Sequence, residues 1–365
     1  MDTDGIGSLL EQIAPRSLAE SWDNPGWQVR LPGRNVTGIL LTLDATTDVL
    51  KEAAVRGCNL VFAHHPLLFK PLKSLDLSTH IGSIVGHAVS QGVSIWAAHT
   101  NLDVLPEGTS FALGSALGLR GMKLLAPVER PDYKLVVYVP PDHLEPVRDA
   151  MAEAGAGRIG DYSRCFWQTM GTGQFRPEPG ANPYVGSVGQ DERVDEYRLE
   201  AVVPQARLAT VLEAMRRAHP YEEVAYDLLP LSNRVSSFGY GVVGDLPEEK
   251  STAEAARWAT QTLSSAVCAV AGEPGRLHGR VAVVGGSGAS FMGEVVRSGA
   301  TLFMTADVRY HESQEAVARG LDLVILDHYA TERPVLDGVR DRLQSMLPDI
   351  PVLVATTPST PYVEC

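Results

Sequence analysis

Short apolar runs alternate along this chain with amphipathic stretches of helical period. Residues 6–13 carry apolar side chains at helical spacing, and Pro15 closes that element. Residues 36–44 read as a strand with Asp44 at its carboxyl end, and Thr47 can cap a helix reaching about Arg56. The run Leu60-Val61-Phe62-Ala63 has the length of a buried strand, and Pro66 stops it from continuing. A helix from about residue 81 to 91 leads to a further strand at 93–98. Strand, helix, strand, helix predicts a largely parallel sheet covered on both faces. In such sheets ligands gather beyond the carboxyl ends of the strands.

The texture changes near Pro127. Residues 134–139 predict a strand, 144–154 an amphipathic helix ending at Gly155, 196–203 an alternating strand, 208–218 a helix and 224–228 a strand. Two successive strand–helix–strand halves suggest a small ferredoxin-like α+β module inserted at residues 128–233. Between its halves, 171–190 is rich in Gly and Pro and reads as a long loop or loose hairpin. His219-Pro220-Tyr221-Glu222-Glu223, at a helix end, is a binding corner or, more simply, a capped turn. The α/β pattern then resumes, with a long helix at 253–270 and strands at 280–284, 300–304, 321–326 and 352–354. The expected organisation is therefore a core in two α/β halves, 1–127 and 234–365, interrupted by the insert. Gly285-Gly286-Ser287-Gly288 lacks both the Lys-Ser/Thr of a P-loop and the dinucleotide spacing, so a tight turn leaving room for neighbouring ligands is its plainer role.

Composition narrows the class. A chain of 365 residues is long for one core, and 44% hydrophobic with 21% charged residues is ordinary for a globular protein. A net charge of −13 argues against a general nucleic-acid binder. No run of eighteen apolar residues appears, and the acidic Met1-Asp2-Thr3-Asp4 start lacks an apolar signal segment. The four cysteines are scattered without disulfide or Cys-x-x-Cys spacing, so the cytoplasm is the expected location.

Chemistry collects at the strand exits. His64 and His65 follow one apolar run, His99 and Asp103 the next, Asp307 and His311 a third, and His328 and Glu332 a fourth. Singly, each has a dull explanation as a cap, a surface residue or a complement to a helix dipole. Jointly, four exits carry His, Asp or Glu, two in each half. Imidazole and carboxylate without Cys favour zinc, manganese or iron, and a set of this size can hold two ions, an arrangement suited to hydrolysis.

These residues also carry a resemblance. Trp22-Asp23-Asn24 with Gly26, Ala63-His64-His65-Pro66-Leu67, Ala98-His99-Thr100-Asn101-Leu102-Asp103, Asp307-Val308-Arg309-Tyr310-His311, and His328-Tyr329 with Glu332 resemble the NIF-three-like family. Its bacterial members carry the label GTP cyclohydrolase 1 type 2 homologue. Gly171-Thr172-Gly173-Gln174-Phe175-Arg176-Pro177 and the His219–Glu223 stretch look like its PII/CutA-like insert. The resemblance implies two divalent metal ions per subunit held by His64, His65, Asp103, His328 and a bridging Glu332, with His99, Asp307 and His311 lining the same pocket. It implies a toroidal homohexamer. Asp327 and Ala306 stand where the family usually has Gly. The function expected is a dinuclear-metal-dependent hydrolase of a small nucleotide-like or phosphorylated substrate, with His99 or Asp307 shuttling protons. The alternative is a non-enzymatic, metal-dependent sensor or scaffold that binds an effector or partner through the insert. A ring encircling nucleic acid is the weakest reading, given the charge.

Overall fold

A computed structural model describes residues 1–128, 132–233 and 238–361. The chain divides into two compact units, Met1–Val128 with Ser237–Cys365, and Glu129–Ser236. In chain order the first stretch comprises α1 (Thr3–Ile13), β1 (Gly26–Val29), β2 (Ile39–Thr42), α2 (Thr47–Val55), β3 (Leu60–Ala63), α3 (His80–Gln91), β4 (Ser94–Ala97), α4 (Thr100–Asp103), α5 (Thr109–Ala116) and β5 (Arg120–Pro127). The second unit holds β6 (Tyr133–Val139), α6 (Leu144–Glu153), β7 (Phe166–Phe175), β8 (Glu192–Val203), α7 (Leu208–Ala218) and β9 (Tyr226–Pro230). The chain then returns to the first unit with β10 (Gly239–Ser251), α8 (Thr252–Leu263), β11 (Cys268–Ala271), β12 (Leu277–Ser287), α9 (Met292–Arg297), β13 (Leu302–Ala306), α10 (Tyr310–Ala318), β14 (Asp322–Leu326), α11 (His328–Glu332), α12 (Val335–Met346) and β15 (Val352–Val354).

The first unit is built on two sheets. One has the order β1-β4-β3-β2-β15; β4, β3, β2 and β15 are parallel and only β1 runs against them. Every residue of β2, β3 and β4 is buried, as expected of central strands covered on both faces. The other sheet has the order β11-β14-β13-β12-β10-β5. Here only β12, β13 and β14 are parallel; β11, β10 and β5 pair antiparallel, so this sheet is mixed rather than largely parallel. Strands also cross between the two halves: β5, from before the insertion, closes the second sheet, and β15, the last strand, closes the first.

Local chemistry explains where several elements begin and end. Thr46, one residue before the expected cap, accepts a hydrogen bond from the Val49 N–H and starts α2. Ser251 and Glu254 form a capping box on α8. That helix stops at Leu263 because Ser264 adopts a left-handed conformation, φ +52°; the apolar residues beyond it form β11 instead of the continuous 253–270 helix the periodicity suggests. Leu302, Met304, Val324 and Leu326 of the parallel strands pack with Ala255, Ala256 and Ala259 of α8 in one buried cluster.

In the second unit the βαββαβ order gives an antiparallel sheet ordered β7-β8-β6-β9. Leu135, Val137 and Val139 of β6 meet Val147 and Met151 of α6 and Val211 and Met215 of α7 in its core. Residues 171–175 form the second half of edge strand β7, paired antiparallel with β8, so of the long loop and the loose hairpin expected for 171–190 it is the hairpin that forms. The strand is exposed almost throughout and carries two glycines in this half, so it lacks the alternation that marks a half-buried strand. Among the described residues no helix is long and apolar enough to cross a membrane.

Candidate metal centre

The exits of β3 and β4 bring His64, His65, His99 and Asp103 to the place where α11 presents His328 and Glu332. His64 is fully buried, and its Nδ1–H donates to the Ala98 carbonyl at 2.8 Å. His65 Nδ1–H donates to Asp44 Oδ1 at 2.8 Å, His99 Nδ1–H to Asp23 Oδ1 at 2.9 Å, and His328 Nδ1–H to Asp307 Oδ2 at 2.6 Å. Each ring is thus held through Nδ1 by a backbone or carboxylate oxygen, the arrangement that orients an imidazole ligand and leaves Nε2 for a cation.

The Nε2 atoms converge on Glu332. His65 Nε2 lies 3.0 Å from Glu332 Oε2, His328 Nε2 3.1 Å from Oε1, and His64 Nε2 3.7 Å from Oε2. Asp103 Oδ1 lies 3.5 Å from His64 Nε2 and accepts a hydrogen bond from Thr109 Oγ1. The ligating atoms of His65, His328 and Glu332 all fall within 4.8 Å of one another, as do those of His64, His65 and His99. His64 Nε2, His328 Nε2 and Glu332 Oε2 are buried without a hydrogen bond of ordinary geometry. Buried polar atoms of this kind need a partner, and nitrogen and oxygen donors so placed suit a divalent ion. The residues therefore fit the metal that the sequence pattern suggests, and the His/Glu group could hold one.

Electrostatics in the cluster are strongly coupled. Burial alone would push His65 down, but its hydrogen bond to Asp44 and the Glu332 carboxylate 3.0 Å from its Nε2 hold it up at about 10. Burial likewise opposes protonation of His328, and Glu332 followed by Asp307 raise it to about 9. Glu332 is buried, yet its histidine neighbours, His64 foremost, keep its carboxyl well below the usual range. Asp103 moves the other way: burial raises it, and repulsion from Glu332 adds to the effect against the attraction of His64. Asp23 is lowered to about 2, because the bonds from His99 and Thr100 outweigh its burial.

Two backbone features make room for this packing. Gly286, in β12, has φ +66°, and a Cβ there would lie 2.3 Å from Glu332 Oε1. The glycine stretch thus accommodates the carboxylate of α11 as expected, although Gly285, Gly286 and Ser287 belong to β12 and not to a turn. Asp307 also has a positive φ, 54°, and its Oδ2 accepts from Ser287 Oγ as well as from His328. Asp327 caps α11 by accepting from the Tyr329 N–H, and its other oxygen accepts from Thr360. It faces these neighbours and not the cluster. His311 is exposed on α10, bonded to Gln314, and does not line the adjoining cavity. The orienting role of Asp23 had no sequence signal beyond its place in the Trp22-Asp23-Asn24 turn.

A cavity of about 450 Å³ opens onto the cluster, lined by His99, Asp103, His328 and Glu332 on the polar side and by Trp22, Tyr240 and Phe291 among others. Trp22 meets His99 edge-on with ring centroids 6.2 Å apart, and Tyr240 stacks on Phe291 at 5.3 Å.

A mixed α/β core whose strand exits join four imidazoles to buried carboxylates defines a candidate metalloprotein. The family model for Duf34/NIF3 (NGG1p interacting factor 3) matches residues 1–361, and the chain belongs to that family. It is 38% identical over 342 residues to the GTP cyclohydrolase 1 type 2 homolog of Halalkalibacterium halodurans, covering 93% of this chain and 92% of that one. The protein of the same name from Bacillus subtilis is 36% identical over 362 residues, with 98% and 97% covered. A solved Bacillus cereus protein related to NIF3 superposes with a TM-score of 0.84 at 36% identity, over 100% of this chain and 99% of that one.

Proposed function

We propose that the cluster holds two divalent ions, zinc, iron or manganese, and that the protein is a hydrolase of a small nucleotide-like substrate. The observation that carries this reading is the convergence of His64, His65 and His328 Nε2 on the two oxygens of Glu332. His64 and Asp103 would serve one ion, His65 and His328 the other, and Glu332 would be shared. Two such ions, when bound, supply Lewis acidity and make water a usable nucleophile near neutral pH.

The chain's own residues do the rest. Asp44 and Asp307 fix the rings of His65 and His328, and the Ala98 carbonyl fixes His64. Asp23 holds His99 by Nδ1, so its other nitrogen is the group able to take or return a proton at the cavity wall. Asp307 reaches the site through His328. Trp22, Tyr240 and Phe291 give the cavity aromatic walls. No Lys or Arg lines it, which favours a heterocyclic base over a phosphate as the part the side chains recognise. The names of the Halalkalibacterium halodurans and Bacillus subtilis relatives agree with a purine nucleotide as the first substrate to try.

The second unit supports another reading, a metal-dependent sensor or scaffold. Its βαββαβ order and antiparallel sheet are compatible with a PII/CutA-like module, and it encloses a cavity of its own. A homohexameric ring belongs to the same proposal and is read out by light scattering. The deciding experiment loads the purified protein with zinc, iron or manganese in turn and assays GTP, other nucleotides, phosphoesters and cyclic amides. Turnover that His64→Ala abolishes supports the hydrolase. Binding without turnover in any metal form overturns it in favour of the sensor.

A further inference from the structure

The second unit contains a cavity of about 420 Å³ that the metal centre does not use. Its walls come from β6, the exposed second half of β7, β8, the loop following β7, and the corner after α7. Tyr138, Phe175, Tyr184 and Tyr221 supply aromatic rings; Glu196, Glu222 and Glu223 supply carboxylates; and no Lys or Arg lines it.

The wall is built, not incidental. The Nε2–H of buried His219 donates to the Tyr138 carbonyl at 2.9 Å, while its Nδ1 accepts from the Tyr221 N–H at 3.1 Å. That bridge sets the Tyr221 ring against His219, centroids 4.9 Å apart. Burial pushes His219 down from its ordinary value, so the bridge stays neutral and places no cation behind the ring. Tyr184 stands 6.0 Å from Tyr221, the planes inclined at 46°, and meets His143 edge-on at 5.5 Å. Glu222 accepts from the Asn182 N–H at 2.8 Å, which ties the loop carrying Tyr184 to the corner carrying Tyr221. Gly173 leaves open the space that the Glu196 carboxylate enters; a Cβ there would sit 2.2 Å from Glu196 Oε2. The Tyr221 hydroxyl is shut off from solvent without a hydrogen bond of good geometry.

Aromatic faces next to carboxylates, with no competing cation, are the surroundings that stabilise an organic ammonium ion. The rings attract the charge through their quadrupoles and pack against its carbon shell, and the carboxylates neutralise it. A hydrated metal ion would find carboxylates but gain little from the rings, and an anion would meet repulsion. We propose that this cavity of the second unit is a binding site for a small organic ammonium ion, which packs against the Tyr184 and Tyr221 rings and is neutralised by Glu196. The site is independent of the metal centre and of the reaction assigned to it.

Choline and its uncharged isostere 3,3-dimethylbutan-1-ol, titrated into the full-length protein in a calorimeter, test the proposal. Choline is expected to bind, and the alcohol at least tenfold more weakly. Tyr184 is 50% exposed, so Tyr184→Ala spares the core; it should weaken choline binding about tenfold, as should Glu196→Gln. Thermal melts of both variants check that they remain folded. Equal binding of choline and the alcohol overturns the proposal, as does absence of choline binding or wild-type affinity in a folded Tyr184→Ala. Magnesium that displaces choline and binds Tyr184→Ala unchanged would make this a divalent-cation site and overturn it as well.

Discussion

Gly286 and Glu332 occupy one another's space: a Cβ on Gly286 would lie 2.3 Å from Glu332 Oε1, the atom that also faces His328 Nε2 at 3.1 Å. Gly286→Ala must therefore strain a backbone at φ +66° and displace the carboxylate around which the cluster is arranged. The expected result is a loss of stability of about 1–3 kcal/mol together with sub-stoichiometric metal. Elemental analysis of the purified variant beside the wild type checks it; a full metal complement would show that Glu332 is not confined by the strand.

Removal of individual ligands should divide the two ions. His64→Ala is expected to cost the ion served by His64 and Asp103, His328→Ala the other, and Glu332→Ala both, since Glu332 faces both pairs of partners. Metal counted per chain gives the answer directly. Near-stoichiometric metal in Glu332→Ala or His65→Ala would sink the ligand assignment.

The carboxylates behind the rings should matter nearly as much as the rings. Asp307→Asn keeps the volume and tolerates the positive φ, but its amide is a weaker acceptor for His328 Nδ1–H. Metal affinity should fall by about 10–100-fold, and likewise in Asp44→Asn. Competition with a chelator of known affinity measures this, and an unchanged affinity would mean that the rings hold their orientation by packing alone.

The apoprotein should release protons on binding metal. His65 and His328 are held up to about 10 and about 9, so both rings are protonated at neutral pH, and an ion must displace those protons. Affinity then rises with pH until it levels off between about 9 and about 10. On the logarithmic scale the slope near neutrality is about one per displaced proton. Calorimetry in buffers of different ionisation enthalpy counts the protons, and a pH-independent affinity would contradict the pairing of both rings with Glu332.

Glu52 gives a second pH dependence, of stability and not of binding. Its oxygens accept from the backbone N–H groups of Thr356 and Thr357, and it pairs with Arg56; these bonds outweigh its burial and lower it from 4.5 to about 2. The folded value lies below the unfolded one. The stabilisation is therefore complete above about pH 4.5 and is lost as pH falls through about 2. Glu52→Gln should cost about 1 kcal/mol at neutral pH and lose less stability than the wild type on acidification. Urea unfolding at several pH values separates the two, and parallel curves would refute the assignment.

Much of the site is legible in the sequence because it depends on strand exits. The apolar run ended by Pro66 announces where His64 and His65 emerge, and four-residue spacing puts His328 and Glu332 on one face of a single helical turn. What periodicity cannot convey is which distant carboxylate each ring meets. Asp23 reaches His99 from a turn far earlier in the chain, and Asp307, expected in the pocket as a proton shuttle, accepts from His328. The mixed second sheet is less legible for a related reason. In β5 and β10 burial does not alternate regularly, and β10 pairs with β12 and β5 through shifted registers. In β7, exposure and glycine remove the strand signal altogether.

The pairing of β5 with β10 sets Gly239 opposite Pro127, and the Val128 N–H donates to the Phe238 carbonyl just beyond them. Facing residues of an antiparallel pair stand about 5 Å apart, a gap that a two-residue turn spans. The two ends of the first unit where residues 129–236 depart and return are thus already a hairpin in waiting. To the core the whole second unit is an overgrown turn, and every residue proposed as a metal ligand lies outside it.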